Sequence, residues 1–373
     1  MGARRELVAD LRQRWDVPSR PRSIVFIGSG GIVNDAHLPA YRALGFDVAG
    51  CFDLDRERAE RTAARWNLPR VYGSLDEVAC EPGVVFDVAL PPAAVFETLQ
   101  RLPDGAVVLI QKPLGEDLAD ATRIRAVCRA KKLVAAVNFQ LRFSPAMLAL
   151  ADAVERGWLG RLVELEVHVN CRMPWELWPF MAALKRMEFA LHSIHYLDSI
   201  RRLLGEPRSV QARTVKHPDA PWLASSRSTA ILDYADDVRC ALSINHHHKH
   251  GPKHQTSQLR VEGTLGAAVL TMGVNLDYPR GRPDALELAF AESDAAQSET
   301  WHAVPLCGNW FPDAFRGTMS NLQRFAAGED RVLLTSVEDA WHTMALVEAL
   351  YAADARGGVP IPSAPNAAGE LRA

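Results

Sequence analysis

The stretch SIVFIGSGGIV, residues 23–33, decides the fold of the first third of the chain. Its apolar run ends at Gly28, and a pattern with helical spacing then continues to Gly45. A short buried strand that turns through glycines into a helix is the context in which α/β sheets hold phosphate groups. The sequence therefore predicts a dinucleotide-binding turn close to the N-terminus.

Each residue of this turn suits a pyrophosphate. Gly28 permits the tight turn, and Gly30 lets the backbone approach the phosphates closely. Gly31 and Ile32 open the helix, where free N–H groups and the positive end of the helix dipole attract an anion. Val33 stands where the fingerprint has glycine or alanine, so the strand and the helix pack less closely. The alternative is a glycine turn without a ligand in an unrelated α/β protein.

An acidic residue follows the turn at the fingerprint's spacing of about 20 residues. Asp53 ends the second apolar run, residues 46–53, where a carboxylate can bind the adenosine ribose hydroxyls. This placement favours NAD as the cofactor. Arg56 lies close enough to leave NADP possible.

Strand-like and helical patterns alternate through the first third of the chain. Further apolar runs at residues 84–90, 106–111 and 133–139 are typical of strands buried on both faces. We therefore predict a doubly wound, parallel α/β sheet.

The pattern changes after about residue 142. Five segments alternate apolar and polar residues, which predicts antiparallel strands with one buried face at residues 161–172, 209–215, 228–234, 237–249 and 257–263. A helix is predicted over residues 187–205, and another over residues 336–358.

These patterns divide the chain into five parts. Residues 1–20 are predicted to form an N-terminal extension with a short amphipathic helix, and residues 21–141 the dinucleotide-binding domain. Residues 142–335 are predicted to form a second domain of the α+β class. Residues 336–358 are predicted to pack back on the first domain, and residues 359–373 to form a loose tail.

Bulk composition excludes several classes of protein. The length of 373 residues exceeds the size of one hydrophobic core, and the net charge of -3 argues against nucleic-acid binding. The N-terminus lacks the apolar run of a signal peptide, and no apolar stretch is long enough to cross a membrane. The six cysteines form no CxxC pair, so we expect a cytoplasmic protein with reduced thiols.

A lysine follows the fourth predicted strand, in the stretch VVLIQKPLG, residues 107–115. The strand delivers Lys112 to the carboxyl edge of the sheet, where such sheets bind their ligands. Pro113 restrains the backbone after it, and a cis Lys112–Pro113 bond would hold the lysine in one orientation. The alternative is a solvated charge at a strand end.

At this point the chain resembles the glucose-fructose oxidoreductase and inositol dehydrogenase family, also written Gfo/Idh/MocA, over most of its length. Four stretches carry the resemblance: GSGGIVNDAHLPAY (28–41), Gln111-Lys112-Pro113, NFQLRFSP (138–145) and HSIHYLDSIRRLLG (192–205). The resemblance implies a Rossmann domain followed by an α+β domain with a large, open, mostly antiparallel sheet. It also implies hydride transfer between a nicotinamide and a carbinol carbon of a sugar or polyol, in a homodimer or homotetramer.

Lys112 and His195 match the lysine and the histidine of that family. The resemblance implies that Lys112 hydrogen-bonds the reacting oxygen and that His195 is the general acid/base. These residue types suit the chemistry, because an imidazole titrates near neutrality and an ammonium stabilises developing negative charge. Gln111 is a mild departure, since the family tripeptide is usually Glu-Lys-Pro.

A second departure lies one helical turn before the histidine. Leu191 stands where many relatives carry an aspartate that helps to hold the substrate. The change implies either a different substrate geometry or a weakened or absent activity. His192 can replace the aspartate as a polar contact to the substrate, or it can be a core histidine.

Further residues are open to two interpretations. Asp198 can orient His195 at i+3, or it can pair with a neighbouring arginine. Arg142 can meet a polar substrate group, or it can form an inter-domain ion pair. The family often has a histidine near Pro91 and Pro92, and this chain has none there, but the two prolines still suit a loop along the nicotinamide side of the cofactor.

Four histidines lie within INHHHKHG, residues 244–251. If the preceding strand continues without a bulge, His246, His248 and His250 fall on its apolar side and His247 falls on the outer side. The apolar side packs against the helix that carries His195, so we predict that His246 and His248 line the cavity of a hydroxylated substrate.

Two alternatives remain for this tract. It can be a sheet edge or an oligomer surface, or it can bind a metal ion through histidines at i and i+2. A metal site needs a third ligand, for which the sequence offers only His254, His192 or His195. We expect no metal, because the resemblance implies chemistry without one.

Two aromatic clusters, MPWELWPF (173–180) and NWFPDAF (309–315), are predicted to lie in loops of the second domain. Their rings can stack on a sugar, or they can fill the core or an oligomer interface. The sequence thus predicts an NAD(P)-dependent oxidoreductase that acts on a carbohydrate-like small molecule. The alternative is a catalytically silent dinucleotide-binding sensor or scaffold of the same fold, and a metal-dependent enzyme is the least favoured hypothesis.

Overall fold

Two β-sheets organise the protein, and a computed structural model describes residues 7–278, 281–290 and 300–359. The first six residues of the N-terminal extension lie outside the described residues. So does the predicted loose tail, residues 359–373, apart from Val359. In the described part of the extension only residues 7–9 are helical, and Trp15 then packs edge-on against Phe143 with ring centroids 5.4 Å apart.

The first sheet is parallel and has five strands in the order β2-β1-β3-β4-β5. Its strands are short, and β1, β3 and β4 are buried along their whole length, as expected where helices cover both faces. The strands are β1 Ile24–Ile27, β2 Val48–Phe52, β3 Val85–Val88, β4 Val107–Ile110 and β5 Val134–Val137.

Helices connect these strands, as the alternating pattern predicts. A π-helical turn, Val33–His37, precedes the first α-helix. The helices are α1 Leu38–Leu44, α2 Arg56–Trp66, α3 Leu75–Ala79, α4 Pro92–Arg101 and α5 Leu118–Ala130. The order of the strands reverses between β1 and β3, so the loops after these two strands flank the crevice in which such sheets bind ligands.

The second sheet has eight strands in the order β13-β12-β11-β10-β6-β9-β8-β7. All of its pairs are antiparallel except β6 with β9. The strands are β6 Leu162–Asn170, β7 Ser209–Val215, β8 Arg227–Asp233, β9 Arg239–Asn245, β10 Thr256–Gly263, β11 Gly266–Thr271, β12 Ala285–Phe290 and β13 His302–Ala303. Leu165, Val167 and Val169 of β6 are buried, while the residues between them point outward.

Helices cover the inner face of this sheet and join it to the first. A second π-helical turn, Glu188–His192, leads into the helix that carries His195. The helices are α6 Pro145–Glu155, α7 Ile194–Leu204, α8 Ala314–Ala326 and α9 Val337–Arg356. Helix α9 contacts β5 of the first sheet and β7 of the second, so it belongs to both halves of the molecule.

The fold class predicted from the sequence is confirmed, although several details differ. Strand β9 ends at Asn245, four residues before the predicted end. The sequence patterns did not predict β11, β12, β13 or α8. The predicted domain boundary at residues 141 and 142 stays a prediction, and the chain passes between the sheets after β5 and before β6. None of the helices that the structure describes is long and apolar enough to cross a membrane.

Candidate active site

Two glycines of the turn after β1 differ in the space around them. Gly28 has a φ of 103°, and a Cβ added there would lie 2.4 Å from the carbonyl oxygen of Ala89. A Cβ added to Gly30 would meet no atom of the described residues within 4 Å. The helix that begins after Ile32 has no side-chain hydrogen bond at its N-cap, so no capping side chain occupies its first N–H groups. This arrangement fits a bound pyrophosphate.

Asp53 lies beside that turn, at the end of β2. Its Oδ2 accepts a hydrogen bond from the backbone N–H of Ser29 (2.8 Å), and its Oδ1 accepts one from that of Asp55 (2.9 Å). Arg56 instead pairs with Glu60 on the exposed face of α2. The guanidinium nearest to Asp53 belongs to Arg58, at 3.5 Å, and sequence reasoning missed it. Pro91 and Pro92 begin α4 after β3, across the crevice from the glycine turn.

Lys112 follows β4 and reaches across to the C-terminal half. The Lys112–Pro113 peptide bond is cis. The Nζ of Lys112 donates a hydrogen bond to the carbonyl oxygen of Leu191, at 2.8 Å. Burial lowers the pKa of Lys112 to about 8. The ammonium therefore meets the backbone of the residue that replaces the family's aspartate.

The π-helical turn Glu188–His192 shapes this meeting point. The N–H of Ser193 bonds the carbonyl of Glu188, five residues back, so the turn is wider than an α-helical turn. Such turns often occur at functional sites. Here a single residue, Ser193, separates the turn from α7.

His195 lies on the first turn of α7 and is 7% exposed. Its ring meets Trp310 edge-on, with centroids 5.5 Å apart. Nδ1 of His195 is buried and has no hydrogen-bond partner among the described residues. Burial, followed by the positive charge of Lys112, lowers the pKa of His195 well below its ordinary value. The imidazole is therefore neutral at neutral pH and can accept a proton.

A cluster of Glu188, His192 and His246 completes the site. Nδ1 of His246 lies 3.0 Å and 3.2 Å from the two carboxylate oxygens of Glu188, and the rings of His246 and His192 are 4.8 Å apart at their centroids. Burial raises the pKa of Glu188, but His246 above all reverses this effect, and the net shift is downward. Burial, followed by the charge of His246, lowers the pKa of His192 to about 3.

The sequence prediction brought His192 and His246 to this site but missed Glu188. A helical spacing contained the signal, because Glu188 lies four residues before His192 on the same face. One tryptophan from each of the two aromatic clusters also lies here. Trp175 contacts His192 edge-on at 5.5 Å, and Trp310 contacts His195, and both rings are buried.

The structure places His248 away from this cluster, contrary to the predicted strand register. The chain bends at His246 after β9 ends, so the alternation of inward and outward residues stops there. Nδ1 of His248 lies 3.3 Å from the amide nitrogen of Asn170, and Nε2 lies 3.1 Å from the carbonyl of Gly251. His248 therefore lies on the outer face of the sheet.

Arg142 also lies apart from the candidate site. Its guanidinium is buried and forms two hydrogen bonds with the carboxylate of Asp198, at 2.5 Å and 2.6 Å. It also pairs with Asp339 of α9 at 2.8 Å and donates to the carbonyl of Leu334. The structure therefore shows the ion-pair alternative, and Asp198, engaged through both oxygens, does not orient His195.

Comparison with known proteins identifies the relatives of this chain. Residues 22–139 match the family described as "Oxidoreductase family, NAD-binding Rossmann fold", and residues 147–269 match the "GFO/IDH/MocA C-terminal domain". The chain is 31% identical to trans-1,2-dihydrobenzene-1,2-diol dehydrogenase of Bos taurus over 262 residues, which are 65% of this chain and 72% of the relative. It is 24% identical to D-apiose dehydrogenase of Paraburkholderia graminis over 86% of this chain and 84% of that one.

Solved structures share the whole architecture. Levoglucosan dehydrogenase in complex with NADH and levoglucosan superposes with a TM-score of 0.76 at 18% identity, over 90% of this chain and 98% of that chain. An oxidoreductase from Agrobacterium radiobacter in complex with NAD+, L-tartaric acid and magnesium gives 0.73 at 21% identity, over 91% of this chain and 98% of that chain. These likenesses show the fold. With the two family matches and the bovine relative, they show that the chain belongs to the Gfo/Idh/MocA oxidoreductase family, with an NAD-binding Rossmann fold at its N-terminal end.

Proposed function

We propose that this NAD-dependent oxidoreductase interconverts a secondary hydroxyl and a ketone on a sugar, glycoside or cyclic polyol. One observation carries the proposal: the Lys112 ammonium and the neutral His195 imidazole lie near each other at the carboxyl edge of the parallel sheet. That edge also holds the glycine turn with its open space beside Gly30.

Two side chains would perform the proton chemistry. His195, neutral at neutral pH, would accept the hydroxyl proton as the alcohol is oxidised. Lys112 has three N–H donors, of which Leu191 takes one, so two can stabilise the reacting oxygen. A bound nicotinamide supplies the hydride acceptor or donor.

The cofactor would lie along the loops after β1, β2 and β3. Gly30, Gly31 and Ile32 would hold the pyrophosphate, and Asp53 would bind the adenosine ribose. The Asp53 carboxylate would repel the 2′-phosphate of NADP, which supports NAD as the preferred cofactor. Pro91 and Pro92 would flank the nicotinamide.

The chemistry of the site supports a hydroxylated substrate. His192, His246 and Glu188 provide polar groups, while the buried rings of Trp175 and Trp310 provide apolar surface. The names of relatives agree, since D-apiose and levoglucosan are both carbohydrates. We further propose a homodimer or homotetramer.

The test is turnover with untagged protein against a panel of sugars, glycosides and inositols, followed at the nicotinamide absorbance band. With a substrate found, Lys112→Met should lower kcat by about 10²–10⁴ while NADH affinity stays within about threefold. Lys185→Met removes an exposed lysine and should change neither value. Tight NADH binding without turnover across the panel would instead favour the catalytically silent alternative.

A further inference from the structure

We propose that Glu188, His192 and His246 form a binding site for a divalent transition-metal ion of the zinc type. One ligand atom from each residue lies within 4.8 Å of the other two. The sequence made a metal the least favoured role for the histidine tract, because it offered only His254, His192 or His195 as a third ligand and because the resemblance implies chemistry without a metal. The structure supplies two partners for His246 from the π-helical turn that precedes α7.

The local structure holds the three side chains in place. Glu188 and His192 are four residues apart on one π-helical turn, and His246 lies at the bend after β9. The backbone of His246 is fixed on both sides, because its N–H donates to the carbonyl of Ser226 (3.0 Å) and its carbonyl accepts from the N–H of Met173 (3.1 Å). The hydroxyl of Ser193 donates to Glu188 at 3.0 Å and orients the carboxylate. A supported carboxylate and a fixed imidazole are typical of metal ligands.

The donor set and its dimensions suit zinc. Two imidazoles and one glutamate are a known ligand set for zinc with a fourth position open. Tetrahedral bonds of about 2.0–2.1 Å place the ligand atoms about 3.3–3.4 Å apart. Nδ1 of His246 already lies 3.0 Å and 3.2 Å from the Glu188 oxygens, and the longest separation in the group, at most 4.8 Å, would have to shorten when the ion binds. In the bound form, contacts to the ion would replace the hydrogen bond between these two residues.

A second observation points to a ligand independently. Nδ1 of His192 is buried and finds no hydrogen-bond partner in the described part of the chain. A buried polar atom without a partner is costly, and a metal ion is one way to satisfy it. Glu188 is 0% exposed and His246 is 1% exposed, so solvent would not reach the ion from the side of these two ligands.

The site adjoins the Lys112 and His195 pair. Lys112 binds the carbonyl of Leu191, the residue next to His192 in the chain. Three protein ligands leave one coordination position for an oxygen ligand, such as a water molecule or a hydroxyl of a bound polyol. This inference concerns ion binding, so it stands or falls separately from the hydride-transfer proposal.

The test is direct binding to full-length, untagged protein stripped of metal by a chelator. Zinc titrated against a chromophoric competitor should bind with one ion per chain at high affinity, and Co²⁺ should give the intense visible bands of a tetrahedral site. Glu188→Gln and His246→Gln should each weaken zinc binding about 100-fold or more. Lys112→Met should strengthen it, because a neighbouring positive charge is removed.

The matched control lies in the same histidine tract. His248→Gln and His250→Gln remove imidazoles outside the cluster and should change the zinc affinity less than about threefold. Weakening by these two variants, with none in His246→Gln, would show only an adventitious ion on surface histidines and would overturn the proposal. If His246→Gln fails to fold, the Co²⁺ spectrum of the wild type decides, since the weak bands of a water-coordinated ion contradict the site.

Discussion

Within the described part of the chain, two π-helical turns each end at a histidine, and the two histidines have opposite surroundings. His37 ends the turn after β1, with Nδ1 2.8 Å from Asp87 and Nε2 3.3 Å from the amide of Asn138. The hydroxyl of Tyr41 also donates to Asp87, at 2.6 Å. His192 ends the turn before α7, and its Nδ1 finds no partner among the described residues.

The difference distinguishes a histidine that joins elements of the fold from one that lies in the candidate active site. His37 joins the glycine-turn helix to β3 and to the segment after β5, and its fully satisfied nitrogens leave nothing for a ligand. His192 has a buried nitrogen without a partner among the described residues, beside Glu188 and His246, and such an atom costs stability. Of these two histidines, the one whose nitrogens both have partners stabilises the fold, whereas the one with an unpartnered nitrogen is the candidate for binding a ligand.

The largest expected effect comes from breaking the hydrogen bonds around His37. His37→Leu removes one of the two side-chain partners of the fully buried Asp87 carboxylate, and we expect a loss of about 3–5 kcal/mol in the free energy of unfolding. Urea-induced unfolding followed by circular dichroism measures it. A loss below about 1 kcal/mol would contradict a framework role for His37.

The same contrast can be tested on two glycines of one turn. Gly28→Ala forces a Cβ against the carbonyl of Ala89 at a positive φ, and we expect a loss of about 1–3 kcal/mol in stability. Gly30→Ala meets open space, so its stability should stay within about 0.5 kcal/mol while NADH binding weakens about tenfold or more. Thermal melting and NADH fluorescence titration measure the pair. Equal melting temperatures would contradict the distinction.

A third effect is a change in the acid sensitivity of folding. The pKa of His195 in the folded protein lies well below 6.5, so below pH 6.5 the unfolded chain binds a proton that the native protein does not. Stability therefore falls as the pH decreases, and His195 contributes up to about 1.4 kcal/mol per pH unit to that slope. His195→Gln should flatten the slope of unfolding free energy between pH 6.5 and 5. The exposed His168 provides the control, and His168→Gln should leave the slope in place.

The smallest expected effect is the most informative about the cluster. His192→Leu removes a nitrogen that has no hydrogen-bond partner and puts an apolar side chain of similar size in its place. The free energy of unfolding should therefore change by less than about 1 kcal/mol. Zinc binding should fall as steeply as in His246→Gln. A loss of stability matching that of His37→Leu would place both histidines in the framework.

Local signals in the sequence predicted where the glycine turn, Asp53 and Lys112 stand in the fold. The turn at Gly28, the acid at Asp53 and the strand ending before Lys112 are each determined by a few adjacent residues. The requirement for glycine in a tight turn and the apolar pattern of a strand each depend on a few neighbouring residues. A single sequence is therefore enough to detect them. Arg56 was the exception. It pairs with Glu60 on the surface of α2, and Arg58 is the arginine that lies beside Asp53.

The substrate side depends on residues far apart in the chain. Arg142 forms ion pairs with Asp198 and Asp339, and no local sequence pattern predicts that pairing. His248 points outward because of a bend that the strand period does not encode. The short segments of β11, β12 and β13 carry little strand signal of their own. They become strands because they pair with other strands of the same sheet, and this pairing cannot be read from the segments alone.

Helix α9 follows both sheets in the chain, yet it packs against strands of each. It brings Asp339 to Arg142, Glu348 to Arg186 and Asp354 to Thr214. During synthesis these residues of the second half can therefore find their partners only after α9 has been made, so domains that fold in chain order cannot lock together before then. We expect a chain that stops at residue 336 to lose these contacts and to be cut by protease more rapidly than the full chain.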